Sequence, residues 1–438
     1  MDSKIETIAR EARDYVDRVI IPIYRQEPLL HVPTIDYDFR VRFPGKHEVP
    51  AAELLKEAVA IMEPGSGVSL YAHIPQCSYR CNFCTYAVTL GGNEEEDAGR
   101  LIKELDDLSV ALPLYKANVS SLYFGGGTPT TLSPEEIYKL VRGFADRLPI
   151  TPETEVSMEG SPDTITREKI TAAHNAGVTR FSVGVQTFDE AALEACNRGH
   201  SSKQAEDAVK LLTGSDFQEV NVDLMRGLPY QTLELFVDDL LRIIEYRPET
   251  LHVYRMRVRR KNQLQSKFEH NVDRLKLPST EETCAMQYAA DRLLAEYGYK
   301  RQHTAGWSMT SPKVFSDRWQ QQIPLISFGW RAYSLFQFGE WHNSDQLGSW
   351  RSQVDQGKPA IKKAWKYDPN EAILRRMLFQ LKTMEGFRNH QNLPEEYRGK
   401  LGKLEELGVI ESRGDSFVLT DAGFMIGEEA IRYLSVEY

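Results

Sequence analysis

Between Val68 and Val258, short runs of β-branched and aromatic residues recur, each separated from the next by a stretch long enough for a helix. The runs are SLYAHI (69–74), SSLYFG (120–125), TEVSME (154–159), TRFSVGV (179–185), EVNVDLM (219–225) and TLHVYRM (250–256). Strands spaced this widely do not close as hairpins; they pair in parallel through helical crossovers. The expected fold is therefore α/β, a partial (βα)6 barrel of the TIM type. Local punctuation supports the helices. Ser133-Pro134-Glu135-Glu136 is a capping box with proline at the first helical position, and Gly177 stands where the helix opening near Thr166 needs a left-handed residue.

The flanks read differently. Residues 1–65 form a helical N-terminal extension, with the proline-containing stretch RFPGKHEVP and a turn at Glu63-Pro64-Gly65-Ser66-Gly67 before the barrel of 66–275. Beyond Arg259 the pattern turns helical. Ser279 and Glu282 cap a helix ending at Tyr297-Gly298, within an extension over 276–365 that walls the open side. Residues 366–438 read as a mostly helical C-terminal domain with a short hairpin about Arg413-Gly414-Asp415 and a last helix after Thr420, a winged-helix-like arrangement.

With 438 residues and 41% apolar content the chain buries a large core, and its length suggests two or three domains. A formal charge of −10 and the lack of a basic stripe argue against nucleic acid as a partner. The N-terminal MDSKIETIAREARDYVDRVI is charged throughout, and no apolar run approaches a membrane span, so neither a signal peptide nor a membrane partner is expected. Five cysteines make no disulfide framework, which points to a reducing cytoplasm.

Three of those cysteines, Cys77, Cys81 and Cys84, stand in a Cys-x3-Cys-x2-Cys array directly after the first strand. Closely spaced thiolates hold [4Fe–4S] clusters, and a set of three leaves one iron without a protein ligand. Structural zinc is an alternative, with His73 or His200 completing a Cys3His site. Three buried structural thiols are another, although Ser78, Arg80 and Asn82 make the loop polar for a core segment.

In parallel α/β folds the functional groups collect at the C-terminal ends of the strands. The glycine-rich segment Phe124-Gly125-Gly126-Gly127-Thr128-Pro129-Thr130 follows the second strand, where missing side chains let backbone amides approach a ligand. Glu159 ends the third strand, Gln186 the fourth, Asp223 lies on the fifth, and Arg198 follows Gln186 by twelve residues. Together they make a ring of polar groups aimed at one cavity. Taken singly, each also suits a cap or surface position.

These motifs, from about Ser69 to Val258, resemble the radical S-adenosylmethionine superfamily, and within it the branch typified by oxygen-independent coproporphyrinogen III oxidase. The resemblance implies a [4Fe–4S] cluster on Cys77, Cys81 and Cys84, with S-adenosylmethionine on its open iron. It places Tyr71 near adenine, Gly126, Gly127 and Thr128 beside the methionyl moiety, and Glu159, Gln186, Arg198 and Asp223 around amino acid and ribose. A guanidinium suits a carboxylate, and carboxylates suit an ammonium or ribose hydroxyls. A flavodoxin- or ferredoxin-type donor would supply the electron that splits the sulfonium. Some members hold a second S-adenosylmethionine, and Met225 and Tyr333 stand at positions resembling that site, which the 276–365 extension would help to build. Core packing is the other reading of both residues.

The chain departs from the branch in two places. Tyr86 stands where porphyrinogen-decarboxylating members carry a further cysteine, and Val314-Phe315-Ser316-Asp317-Arg318-Trp319-Gln320 replaces the motifs of the decarboxylating and haem-chaperone members. The function expected on these grounds is C-methylation or methylene transfer, such as cyclopropanation, of an unsaturated or heteroaromatic small molecule, using two S-adenosylmethionine molecules. The alternatives are anaerobic tetrapyrrole chemistry, by decarboxylation or haem ring opening, and non-catalytic haem binding or trafficking. Period-two alternation also puts Arg255, Arg257 and Arg259 on one face of the last strand. That face either grips an anionic substrate or is paired with surplus acids.

Overall fold

The six expected strands are present, parallel and in sequence order: β1 (Gly67–Ile74), β2 (Asn118–Gly126), β3 (Glu155–Gly160), β4 (Arg180–Gln186), β5 (Glu219–Arg226) and β6 (Thr250–Arg255). They belong to a computed structural model that describes residues 2–32, 45–63, 65–92, 94–258, 276–310, 322–388 and 393–435. The crossovers are α1 (Glu94–Ala111), α2 (Pro134–Ala145), α3 (Arg167–Ala176), α4 (Glu190–Ala195) with α5 (Ser202–Thr213), and α6 (Leu233–Glu245). The expected capping box closes on α2, where Ser133 Oγ accepts from the Glu136 amide and Glu136 accepts from the Ser133 amide. Gly177 ends α3 at φ 108°, a conformation that costs glycine nothing.

Alternation along the strands decides what faces where. Leu70, Ala72, Leu122, Phe124, Val156, Met158, Phe181, Val183, Val222 and Leu224 are buried and belong to the main apolar cluster. The alternate positions are polar or aromatic: Tyr71, Tyr123, Ser157, Glu159, Ser182, Asn221, Asp223 and His252. Parallel pairing keeps partners on one face, so Glu159 lies beside Ser182, Ser182 beside Asn221, and Asp223 beside His252. The result is an apolar shell around a polar lumen, closed at its base by Arg180, which pairs with Glu219 at 2.7 Å.

The sheet runs further than the sequence pattern indicates. Beyond β1 lies a seventh parallel strand, β7 (Leu325–Phe328), with Ile326 opposite Leu70 and Phe328 opposite Ala72. Antiparallel β8 (Tyr333–Leu335), β9 (Gly339–Asn343) and β10 (Ile361–Tyr367) follow, then the strand Lys46–Val49. Gly306–Ser308 and Lys300–His303 extend the β6 edge, making thirteen strands among the described residues. The helical expectation beyond Arg259 is thus corrected, although the helix α7 (Thr280–Glu296), capped by Ser279, is where expected. The new strands are three to seven residues long. At that length alternation is weak, and pairing with the existing sheet decides the conformation.

Helices α8 (Leu347–Asp355), α9 (Pro369–Gln380), α10 (Glu395–Glu406) and α11 (Gly427–Ser435), with a three-stranded sheet of Phe387–Arg388, Ser416–Leu419 and Ile410–Arg413, complete the C-terminal part. Here the anion-gripping reading of the arginine face fails. Arg255 bonds Glu429, and Arg257 reaches Glu428 at 2.9 Å and Glu429 at 2.8 Å, with both guanidiniums 1% exposed. They tie the last barrel strand to α11. Arg259 and the stretch Val314–Gln320 lie outside the described residues. No described helix is long and apolar enough to cross a membrane.

Candidate functional site

The cysteine loop crosses the C-terminal end of the barrel. Cys77 ends a two-residue strand, Gln76–Cys77, that pairs with Thr89–Leu90. The loop is clamped to the segment after α4. The buried Asn82 donates its amide to Cys196 O at 2.9 Å and its side chain to Ala195 O at 2.7 Å, while Asn197 donates to Arg80 O at 2.8 Å. These carbonyls end a helix and would otherwise lack donors. A Cβ at Gly199 would fall 2.1 Å from the Tyr79 ring, so the two segments touch with no room between them.

All three thiols are half-buried and free of disulfides. Arg198 Nη1 lies 3.1 Å from Cys81 Sγ, and Thr128 Oγ1 lies 3.4 Å from Cys77 Sγ, where it favours the thiolate. Burial nevertheless pushes the Cys77 thiol up to about 11, with Cys84 raised for the same reason. Thiols in this state give up their protons to a metal. Among the described residues no three His, Cys, Asp or Glu side chains gather around a point that one metal ion could occupy. The three thiolates of a cluster sit on three different irons and need not converge on one point. His73 is also committed elsewhere, Nε2 to Ala87 O at 2.8 Å and Nδ1 to Tyr71 Oη at 3.0 Å.

The glycine segment continues the pairing of β1 and β2 beyond the strand ends. Gly127 donates to Ile74 O and Thr128 to Gln76 O, both at 2.7 Å, stitching this segment to the cysteine loop. Gly126 adopts φ 116°, and a Cβ there would fall 2.3 Å from the His73 ring; at Gly127 it would fall 2.4 Å from Gln76 O. Side chains are sterically excluded here, and the backbone itself forms the surface.

The remaining expected residues converge only in part. Glu159 accepts from Tyr123 Oη at 2.7 Å and from the Gly126 amide at 3.2 Å, and burial raises its carboxyl. Asp223, one layer higher, accepts from Asn221 at 2.7 Å and Ser182 at 3.2 Å and lies 3.3 Å from His252 Nδ1. Burial pushes its pKa up, but His252 and Asn221 outweigh that and hold it below the ordinary value. Gln186 sits at a bulge in β4 with φ 73°, a strained conformation that turns the chain at the strand end. Arg198 is fixed by Gly184 O at 2.5 Å and by Cys81, which leaves its buried Nε without a partner. Tyr71 stacks on Tyr123 at 6.1 Å.

Met225 does not join this group through a polar contact. It packs with Ala192, Cys196, Leu228, Met256 and Val258 in a small apolar cluster, which Phe83 completes. Tyr333 is 52% exposed, Tyr86 65% and Tyr254 41%. The Tyr86 phenol nonetheless feels Glu159, Tyr333, Cys84 and Asp223, and the Tyr254 phenol feels Asp223, Tyr86 and Glu159. Rings that are wetted yet hemmed in on several sides line an open lumen. Tyr86 and Tyr254 were legible only as a departure and as part of a charged strand. Asn82 and Tyr123 carried no signal beyond their place beside the motifs.

Residues 71–243 match the model of the Radical SAM superfamily, and the chain carries a radical SAM domain. Such a domain implies a [4Fe–4S] cluster and S-adenosylmethionine, and the thiol triad, the side-chain-free glycine surface and the orphaned Arg198 Nε fit those two groups. Its homology lies with the HemN-like proteins. The heme chaperone HemW of Escherichia coli is 36% identical over 195 residues, which cover 44% of this chain and 51% of that protein. The match thus spans about half the chaperone's length. The anaerobic coproporphyrinogen III oxidase 1 of Cereibacter sphaeroides is 26% identical over 351 residues, 73% of this chain and 75% of that one. The solved structure of coproporphyrinogen III oxidase (HemN) from Escherichia coli superposes with TM-score 0.74 over 91% of this chain and 99% of that one, at 22% identity, and shows the shared fold.

These relatives correct the expected reaction. They are named heme chaperone and coproporphyrinogen III oxidase, none of them a methyltransferase, so C-methylation and methylene transfer are withdrawn.

Proposed function

We propose that this protein is a radical S-adenosylmethionine enzyme whose substrate is a tetrapyrrole. The observation carrying this reading is the lumen, where the exposed rings of Tyr86, Tyr254 and Tyr333 stand around Glu159 and Asp223 beside the cysteine loop. Aromatic walls suit a macrocycle built of pyrrole rings, each of which gains from stacked and edge contacts. The names of the relatives supply the class of molecule.

In this reading Cys77, Cys81 and Cys84 would hold the cluster, with the Arg198 guanidinium set against Cys81. Gly126, Gly127 and Thr128 present backbone groups to the methionyl amino end of S-adenosylmethionine. Arg198 Nε meets its carboxylate, Glu159, Gln186 and Asp223 take the amino acid and ribose, and Tyr71 borders adenine. When bound, the cluster would supply the electron for reductive cleavage of S-adenosylmethionine. The tyrosines exclude water from the lumen and orient the macrocycle within it. The electron comes from a flavodoxin- or ferredoxin-type donor.

A second reading, carriage of haem without chemistry, is favoured by the 36% identity to a haem chaperone. Mass analysis of the tetrapyrrole after anaerobic incubation with dithionite, S-adenosylmethionine and either coproporphyrinogen III or haem separates the two. A changed mass is the result expected of the enzyme; haem bound with its mass unchanged supports carriage. Neither binding nor conversion discards both.

A further inference from the structure

The loop from β7 to β8 opens at the same end of the barrel as the cysteine loop, because β7 runs parallel to β1. Gly329 packs so closely on β1 that a Cβ there would fall 2.7 Å from His73 O. The loop is pinned along its length. Arg331 donates its amide to Ser344 O at 3.0 Å, Asn343 donates to Ala332 O at 2.9 Å, and the Asn343 side chain donates to Gly329 O at 2.9 Å. This framework holds Arg331 at φ 58°, where a non-glycine residue is uncommon and strained.

Strain of this kind persists only where the surroundings impose it, and here it sets an exposed guanidinium at the lumen mouth. That guanidinium makes no hydrogen bond or ion pair among the described residues. Its acidic neighbour Asp345 is taken by Lys362 at 2.5 Å. Its charge is felt by His73 on the lumen side. Other arginines around the barrel are committed: Arg198 to Cys81 and Gly184, Arg180 to Glu219, and Arg255 and Arg257 to α11.

We propose that Arg331 is a specificity-determining residue that binds a propionate carboxylate of the tetrapyrrole at the mouth of the lumen. The inference rests on the tetrapyrrole reading and adds which part of the molecule is recognised. A macrocycle lying among the tyrosines leaves its acidic side chains toward the opening, and a guanidinium fork matches a carboxylate with two parallel hydrogen bonds.

The test is an anaerobic optical titration of the full chain with haem and with haem dimethyl ester, whose propionates carry no charge. The unaltered protein should prefer the diacid by about tenfold or more, the worth of one charge-assisted contact. Arg331→Gly, which relieves the positive φ and should not lower the melting temperature, removes that preference by weakening the diacid alone; Arg331→Lys retains part of it. A preference of the same size in Arg331→Gly overturns the assignment while leaving the tetrapyrrole reading intact. Failure of haem, its ester and coproporphyrinogen III alike to bind overturns the two together.

Discussion

Glu104 on α1 offers a quantitative test of how the mouth of the lumen is held. Its carboxyl is buried and accepts three hydrogen bonds, from the Gly329 amide at 2.8 Å, Trp350 Nε1 at 2.9 Å and Asn343 Nδ2 at 2.7 Å. Burial raises its pKa from the ordinary 4.5 to about 7, an effect the three donors offset only in part. Between those values the folded chain keeps a proton that the unfolded chain has released. Stability therefore falls as pH rises across the window. A difference of 2.5 pH units corresponds to ~3 kcal/mol. Glu104→Gln keeps the shape and cannot ionise, so comparing it with the unaltered protein cancels the other titrating groups. Urea unfolding of the two proteins at pH 5, 6, 7 and 8 should show the variant gaining by about that amount from the acidic to the basic end. A constant difference across the range would refute the reasoning, since it would mean that Glu104 ionises in the folded chain as it does in the unfolded one.

Glu429→Ala removes the partner carboxylate of the buried Arg255 guanidinium and one of the two that Arg257 holds, and should cost ~3–5 kcal/mol in the same urea assay at neutral pH. Because Arg255 and Arg257 hold Glu429 below its ordinary 4.5 despite burial, that cost should shrink as pH falls below this value; an equal loss in acid would count against the pairing. Gly127→Ala forces a methyl group to within 2.4 Å of Gln76 O, so reconstituted protein should hold its iron less tightly toward a chelator, with the far-UV circular dichroism unchanged. Asn82→Ala leaves Ala195 O, at the end of α4, without its side-chain donor and should cost ~1–3 kcal/mol and broaden the cluster's electron paramagnetic resonance signal; an unaltered signal would show that the clamp does not position the loop.

The barrel was legible because its strands are six to nine residues long, rich in β-branched and aromatic residues, and separated by helices bounded by capping signals such as Ser133 and Gly177. The collection of functional groups at the C-terminal ends of parallel strands also directs Glu159 and Asp223 to one cavity from sequence alone. The added strands escaped notice because β7 pairs with residues some 250 positions earlier, a contact that no local pattern records. The role of Arg255 and Arg257 was hidden for the same reason. Period two gave their common face but not the arrival of Glu429 against it. Met225 shows the opposite limit, since its position suited a ligand contact and only packing with Cys196 and Met256 assigned it to an apolar cluster. Asn82 and Glu104 are buried polar residues whose partners lie on other elements, and such partnerships exist only once the chain has folded.

The central claim is that a tetrapyrrole in the lumen is the molecule toward which S-adenosylmethionine cleavage is directed. Its most direct test is the yield of 5′-deoxyadenosine per chain from anaerobically reconstituted, dithionite-reduced protein, measured with and without coproporphyrinogen III or haem. The account predicts a yield that rises with the tetrapyrrole and vanishes when Cys77, Cys81 and Cys84 are replaced by serine. A yield indifferent to the tetrapyrrole, from protein carrying its full complement of iron, would contradict it.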